Sequence, residues 1–175
     1  MKVIKAKTAG FCFGVKRAVD TVYKQVDTKC GQIYTYGPII HNEEVIKDMR
    51  DKGVIVLRSE EDLDMISQGT VIIRSHGVEK RIYEKIEQKG LRIVDATCPF
   101  VKKIHNIVSE KSGEGFHIII IGNPEHPEVV GIKGWAKDNV TVIQSAEDAE
   151  CFTADRKRKS ALFPRRHLIT INLKI

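Results

Sequence analysis

Residues 117–131 read HIIIIGNPEHPEVVG, and this stretch indicates the fold. The apolar run from His117 to Ile121 has the length and the branched composition of a buried strand. Gly122 ends the run, and a polar turn with two prolines follows at once. Ligands bind at the carboxyl ends of strands in open α/β sheets, so the histidine and glutamates of this turn are candidates for a site.

Other segments of the chain place reactive side chains in the same kind of position. The short motifs that carry them are Cys12 in GFCFG, His41 in GPIIHN, His76 in RSHG, Cys98 in DATCP, and His126 with Glu128 in GNPEHPE. Each follows an apolar run. Two thiols, three imidazoles and a carboxylate at strand ends predict one convergent site with metal chemistry on an anionic substrate.

Between these motifs, short β-rich runs alternate with helical patterns. Apolar residues recur at helical spacing from Val15 to Val26, and a second helix is expected from Asn42 to Lys52, before Gly53. The alternation predicts an α/β fold with mainly parallel sheets flanked by helices. The predicted strands are Lys2–Lys5, Gly31–Tyr36, Val54–Leu57, Val71–Arg74, Leu91–Val94, His117–Ile121 and Val140–Ile143, and the further helices are Val78–Gln88 and Pro99–Lys111.

The composition, 42% hydrophobic and 30% charged over 175 residues, is that of a globular protein. No apolar run approaches the roughly 20 residues of a membrane helix. The first five residues lack the apolar stretch of a signal peptide, so we expect a cytoplasmic protein without a membrane partner. Four cysteines at positions 12, 30, 98 and 151 do not form a disulfide framework, and beside histidines they favour metal binding or catalysis.

The net charge of +6 is confined to the end of the chain. Residues 1–154 hold 22 basic and 22 acidic residues, whereas residues 155–175 hold 7 basic residues and a single acid, Asp155. The basic tail contains a single aromatic residue, Phe163, and so lacks the series of interleaved aromatic side chains on which successive bases could stack. Nucleic acid is therefore not a predicted partner.

Five strings give the chain a resemblance to a known family. GFCFGVKRAV, GPIIHN, RSHGV, VDATCPFVKK and GNPEHPEVVG occur in the order found in 4-hydroxy-3-methylbut-2-enyl diphosphate reductases. Any one string alone would be a weak signal, but five in order are specific. The resemblance runs from Met1 to about Cys151.

The resemblance implies three similar α/β domains around a central [4Fe-4S] cluster, to which each domain contributes one cysteine. On this basis residues 1–97 form a first domain and residues 98–154 part of a second. Cys12 and Cys98 match two of the cluster ligands. Cys30 and Cys151 do not match the third ligand, which lies in a part of the family that this chain lacks.

The resemblance also implies the reaction and the roles of the remaining residues. The family removes the hydroxyl of an allylic diphosphate as water and forms isopentenyl and dimethylallyl diphosphate, with electrons from ferredoxin or flavodoxin. His41, His76 and His126 match positions that bind the substrate diphosphate and hydroxyl. Glu128 matches the proton relay. With one cysteine missing, we expect little or no activity from these 175 residues alone.

Residues 155–175 form an aberrant basic tail. Codons can be chosen for Ser160 to Leu173 that encode a different string in a shifted reading frame. This shifted string contains SQTT and FN, which are the residues expected next in a member of the family. We therefore predict a frameshift between Asp155 and Ser160, with out-of-frame translation after it. The DNA sequence of this segment tests the prediction.

A different class of function stays open at this point. Cys12, Cys98 and a histidine could hold zinc in a truncated binding module without redox chemistry. From the residues alone, Cys12 is equally well explained as a buried apolar cysteine, and Glu128 as a surface carboxylate.

Overall fold

The computed structural model describes residues 3–4, 6, 9–28, 31–153 and 158–164. Within them the helices are Phe13–Thr28 (α1), Glu43–Asp51 (α2), Glu60–Asp64 (α3), Lys80–Gln88 (α4), Pro99–Gly113 (α5), Pro127–Lys133 (α6) and Ala146–Cys151 (α7). The strands are Ile33–Tyr36 (β1), Ile55–Leu57 (β2), Thr70–Ile73 (β3), Arg92–Asp95 (β4), His117–Ile121 (β5), Val140–Ile143 (β6) and Ser160–Pro164 (β7). Among the described residues, no helix has the length and apolar character needed to cross a bilayer.

The chain divides into two compact units. Unit 1 comprises residues 1–75 and 91–98, and unit 2 comprises residues 76–90 and 99–175. The units differ from the predicted domains 1–97 and 98–154 because the segment that contains α4 groups with the later residues. Contacts within unit 2 explain this grouping: the indole N–H of Trp135 donates to the Val78 carbonyl at 2.9 Å, and the Tyr83 ring meets Trp135 edge to face.

Unit 1 is built on a parallel sheet with strand order β2-β1-β3-β4. All four residues of β3 are buried, as expected for a central strand of a parallel sheet. The apolar face of α1 packs on this sheet because its valines and alanine recur every three to four residues. The core of unit 1 contains Ala18, Val19, Val22, Ile33, Ile39, Ile40, Met49, Val54, Ile72 and Ala96.

Unit 2 is built on a second parallel sheet with strand order β6-β5-β7. The central strand β5 is the isoleucine run of the opening motif, and its residues 118–121 are buried. Helices α5 and α6 supply the other side of the core. The buried members are Val108, Ile118, Ile120, Val129 and Ile132.

The predicted α/β class with parallel sheets and flanking helices is confirmed, with small shifts of the element ends. The predicted strand Lys2–Lys5 is not found at the positions that can be examined: Val3 and Ile4 lie outside any strand and are exposed, and Lys2 and Lys5 lie outside the described residues.

Three short helices were not predicted. Two of them, α3 and α7, begin with the same cap, in which a serine Oγ accepts from the backbone N–H of an aspartate three residues later. The aspartate carboxylate accepts in return from the residue before the serine, Arg58 in one case and Gln144 in the other. Reciprocal caps of this kind allow helices of only five or six residues to form.

The predicted aberrant tail overlaps one element of unit 2. Residues 160–164 form β7, which pairs in parallel with β5 from His117↔Ser160 to Ile121↔Pro164. Residues 154–157 and 165–175 of the tail lie outside the described residues. The out-of-frame origin of this segment stays a prediction.

Candidate functional site

Cys12 lies immediately before α1 and is exposed. Its carbonyl accepts the first hydrogen bond of the helix, from the Lys16 N–H at 2.9 Å. Gly10, with a φ of 135°, gives the chain a backbone conformation that other residues rarely adopt. The thiol therefore lies at the amino end of a helix, as the sequence indicates.

Cys98 lies between β4 and α5 and is half-buried. Its backbone N–H donates to the Ser75 carbonyl at 2.9 Å, beyond the end of the neighbouring strand β3. One residue earlier, the Thr97 N–H donates to Asp95 Oδ1 at 2.9 Å. The segment that carries the thiol is thus fixed by its own backbone at the carboxyl edge of the sheet.

Gly14 brings the two cysteine segments together within unit 1. A Cβ built at position 14 would lie 2.5 Å from the Cys98 Sγ, closer than such contacts occur in proteins. Because position 14 has no side chain, the Cys98 thiol packs directly on the first turn of α1, two residues beyond Cys12. Both predicted cluster ligands therefore lie at one corner of unit 1.

Ser75 connects this corner to the loop that carries His41. Its N–H and its Oγ both donate to the Ile39 carbonyl, at 3.2 and 3.0 Å, and its own carbonyl accepts from Cys98. His41 follows Ile39 by two residues and is exposed. Ser75 is 4% exposed, so these bonds form away from solvent. Nothing in the sequence distinguishes Ser75 as a site residue, because a serine in a turn is usually there for structural reasons.

Unit 2 contains the remaining predicted residues, His76, His126 and Glu128. The imidazole rings of His76 and His126 meet edge to face, with centroids 5.9 Å apart. Both rings are half-buried. Gly131 lies against the backbone of the His76 segment: a Cβ at this position would be 3.6 Å from the His76 carbonyl oxygen, so α6 packs closely on the segment after β3.

His126 is the N-cap of α6. Its Nδ1 accepts from the Glu128 N–H at 3.1 Å, and Pro127 occupies the first helical position. A ring nitrogen that accepts carries no proton, so the neutral ring has its proton on Nε2. The cap therefore fixes the orientation of this imidazole and leaves Nε2–H as a donor.

Glu128 is buried in the first turn of α6, with 3% exposure. Its Oε1 has no hydrogen-bond partner within the described residues. A buried carboxyl oxygen without a partner is costly. Such an arrangement is typical of a group that meets a ligand rather than of a structural carboxylate.

Two other histidines have structural surroundings. His105 is 1% exposed and stacks on Trp135, with ring centroids 5.2 Å apart. His117 lies at the start of β5, and its Nε2 is 2.8 Å from Thr141 Oγ1. His167, in the tail, and Cys30 lie outside the described residues.

Among the described residues, no group of three or more histidine, cysteine, aspartate or glutamate side chains is arranged to hold a metal ion. The zinc alternative through Cys12, Cys98 and a histidine therefore lacks a preformed set of three donors in this part of the chain. Two thiols at one corner of unit 1 fit part of the cysteine set that iron–sulfur clusters use.

Comparison with known proteins identifies the family that this chain matches. The model of the LytB protein family matches residues 3–169, which extends beyond Cys151, the residue near which the resemblance was expected to end. A protein of Caldanaerobacter subterraneus subsp. tengcongensis, named 4-hydroxy-3-methylbut-2-enyl diphosphate reductase, is 48% identical over 151 residues, which is 86% of this chain and 52% of that protein. A protein of Clostridioides difficile with the same name is 43% identical over 163 residues.

Solved structures give the same result for the fold. The E-1-hydroxy-2-methyl-but-2-enyl-4-diphosphate reductase of Plasmodium falciparum matches with a TM-score of 0.84 and 30% identity, over 91% of this chain and 49% of that one. A (E)-4-hydroxy-3-methyl-but-2-enyl diphosphate reductase, described as the terminal enzyme of the non-mevalonate pathway, matches with a TM-score of 0.70 and 39% identity, over 83% of this chain and 52% of that one. The chain thus spans about half the length of the relatives it matches.

Proposed function

Because this chain belongs to the LytB protein family, we propose that it carries part of the active site of a 4-hydroxy-3-methylbut-2-enyl diphosphate reductase. The whole protein would remove the substrate hydroxyl as water, consuming two electrons and two protons, and yield isopentenyl and dimethylallyl diphosphate. The observation that carries the proposal is Glu128, a buried carboxyl with an unpartnered oxygen two residues from His126.

In this proposal the histidines bind the diphosphate. His126 offers its Nε2–H because Nδ1 is occupied by the helix cap. His76 lies beside it, and exposed His41 is the third histidine assigned to this task. Imidazoles donate hydrogen bonds to phosphate oxygens, and the bonds strengthen when the ring is charged.

Glu128 would hold and transfer the protons. A carboxyl group can act as a general acid towards a leaving hydroxyl that comes within hydrogen-bond reach. The oxygen of the departing hydroxyl would receive one proton from Glu128 as the bond from carbon to oxygen breaks. Reprotonated, the same carboxyl would supply the proton that completes the allylic product.

Cys12 and Cys98 would be the ligands that this chain provides to a [4Fe-4S] cluster. When bound, such a cluster supplies electrons one at a time and an iron atom that acts as a Lewis acid. Two thiolates are fewer than the cluster requires, so we propose that this chain alone neither holds a full cluster nor turns over substrate. Ferredoxin or flavodoxin as electron donor and a cytoplasmic location belong to the same proposal.

Substrate binding to the full 175-residue chain tests the proposal. Calorimetry with 4-hydroxy-3-methylbut-2-enyl diphosphate should detect binding, and His41→Ala should weaken it about tenfold through loss of a hydrogen bond to a charged group. His117→Gln is the matched control, since it removes a histidine bonded to Thr141 and should leave the affinity unchanged. Equal affinities of wild type and His41→Ala, or no binding by either, would overturn the proposal.

Anaerobic loading with ferrous iron and sulfide tests the cluster. We expect fewer than the full set of irons per chain and no product when a chemical reductant supplies electrons. A stoichiometric four-iron cluster with turnover would refute the proposed incompleteness. Sequencing the gene across codons 150–200 tests the proposed frameshift, and DNA that cannot encode SQTT in a shifted frame would exclude it.

A further inference from the structure

Arg17 lies in α1, just over one turn beyond Cys12, and its guanidinium reaches the other cysteine segment. Nη1 donates to the Thr97 carbonyl at 2.9 Å, and Nη2 lies 3.4 Å from the Asp95 carbonyl. Thr97 immediately precedes Cys98 in the chain. One side chain therefore links the helix that follows the first thiol to the backbone that carries the second.

We infer that Arg17 is a positioning residue for the Cys98 thiol. The inference rests on the proposed role of Cys12 and Cys98 as ligands of one cluster. The hydrogen bonds of the Arg17 guanidinium go to backbone carbonyls and not to either sulfur. It acts through the backbone of residues 95–97, whose carbonyls it holds from one side.

Three further contacts indicate that the Cys98 segment is held at a defined place rather than only packed. The Thr97 N–H donates to Asp95 Oδ1, and the Cys98 N–H donates to the Ser75 carbonyl. Thr97 is 2% exposed, and Gly14 allows the Cys98 thiol to pack on α1. Together with the hydrogen bonds of Arg17, these contacts restrain the segment along several directions. Residues that hold metal ligands in place by hydrogen bonds act in the same way at metal sites.

The guanidinium is suited to this task for a geometric reason. Its planar fork presents several N–H donors in fixed directions, so one side chain can bond two carbonyls that lie two residues apart. A lysine ammonium in the same place has three donors on one nitrogen and cannot span both carbonyls. Arg17→Lys therefore keeps the charge and removes the fork.

Amide hydrogen exchange on the metal-free chain of 175 residues tests the inference directly. Arg17→Met should accelerate exchange of the Thr97 and Cys98 amides about tenfold, with Arg17→Lys in between. Lys24→Met is the matched control, because it removes an exposed cation from the same helix and should change neither amide. Wild-type exchange at both amides in Arg17→Met would overturn the inference. If Arg17→Met also accelerates amide exchange in β5, its effect is not confined to the Cys98 segment, and Arg17→Lys becomes the deciding variant. Accelerated exchange in Arg17→Lys that is limited to residues 95–98 would support the inference. Wild-type exchange rates at residues 95–98 in Arg17→Lys would refute it.

Iron retention separates this inference from the proposed function. After anaerobic loading, iron bound by Arg17→Met should be lost to a chelator about tenfold more readily than iron bound by wild type, with an altered electron paramagnetic resonance spectrum. Equal retention and identical spectra would refute a role at the cluster. If the wild type takes up no iron, the proposed cluster fails, while the exchange rates still decide whether Arg17 positions the Cys98 segment.

Discussion

Gly14 and Cys98 are packed so closely that a Cβ at position 14 would fall 2.5 Å from the cysteine Sγ and 3.0 Å from its Cβ. The cysteine Cα would lie 3.8 Å away, at ordinary van der Waals distance. Gly14, the second glycine of GFCFG, is therefore required at this position by the thiol of Cys98, which belongs to a distant motif. A glycine close to Cys12 in the sequence is thus explained by a tertiary contact.

Gly14→Ala should destabilise unit 1. The added methyl group forces either Cys98 or the start of α1 to move, and overpacking of this kind costs about 1–3 kcal/mol. Urea unfolding followed by circular dichroism measures the loss. The same substitution should also speed exchange of the Cys98 amide, since its bond to Ser75 must shift.

Gly113→Ala is the matched control for Gly14→Ala. Gly113 is the last residue of α5, and a Cβ there would meet no atom within 4 Å. Alanine has a higher helix propensity than glycine, so this variant should be neutral or more stable by up to about 1 kcal/mol. Equal stability of the two variants would mean that the contact between Gly14 and Cys98 is not restrictive.

Trp135→Phe should destabilise unit 2 by about 1 kcal/mol. The indole N–H donates to the Val78 carbonyl at 2.9 Å, and phenylalanine leaves this half-buried carbonyl without that donor. Phenylalanine keeps an aromatic ring that can stack on His105, but this ring is smaller than indole, so the measured loss combines the hydrogen bond with some packing. Urea unfolding followed by circular dichroism at the helix signal measures it. Unchanged stability would show that water replaces the indole donor at no cost.

The sequence predicts most of the fold because the local signals and the tertiary structure agree. The isoleucine run 117–121 and the amphipathic pattern from Val15 to Val26 form the strand and the helix that their periods indicate. The strand expected at residues 2–5 rested on only two apolar residues, Val3 and Ile4, which are too few to specify pairing. The short helices α3 and α7 have no apolar stripe of useful length, and their formation depends on reciprocal serine and aspartate caps.

The site is less accessible to sequence reasoning. Motifs identify the residues that are proposed to touch ligands, since histidine, cysteine and glutamate carry recognisable chemistry. Arg17, Ser75 and Gly14 act through backbone carbonyls and close packing, which no local pattern encodes. The sequence did contain one signal for Arg17. It is a cation just over one turn after a cysteine that precedes a helix, and the other charged residues of that helix are exposed.

Tyr23→Phe should weaken the contact between α1 and α2 in a manner that depends on pH. The Tyr23 hydroxyl donates to Asp48 Oδ2 at 2.6 Å. This hydrogen bond, followed by burial and the charge of Asp48, raises the pKa of Tyr23 from 10.0 to about 12. A raised pKa in the folded state means that the contribution to stability is fully present below pH 10 and is lost as the pH rises towards about 12.

Wild type should therefore be more stable than Tyr23→Phe by about 1 kcal/mol at neutral pH, and the difference should shrink above pH 10. Urea unfolding of both proteins between neutral pH and pH 11 measures the difference. Asp48→Asn provides a second comparison, because it removes the charge and should bring the Tyr23 pKa back towards its ordinary value. A difference that stays constant over this range would contradict the assignment.

His126 has one observed role and one proposed role, and suitable substitutions separate them. Its Nδ1 caps α6 by accepting from the Glu128 N–H, while its Nε2–H is the proposed diphosphate donor. Asparagine is among the best N-cap residues, so His126→Asn should retain the cap and lose the imidazole. His126→Ala should lose both and destabilise the chain by about 1 kcal/mol relative to His126→Asn.

Binding of 4-hydroxy-3-methylbut-2-enyl diphosphate, measured by calorimetry, should weaken about tenfold in both variants, because each lacks the Nε2–H donor. Urea unfolding should distinguish them, with His126→Asn close to wild type. If the affinity falls only in His126→Ala, the side chain of residue 126 is needed as a helix cap and not as a ligand donor. The cap would then affect binding only because it positions Glu128. Wild-type stability in His126→Ala would show instead that Pro127 and the packing of α6 suffice to start the helix without a side-chain cap.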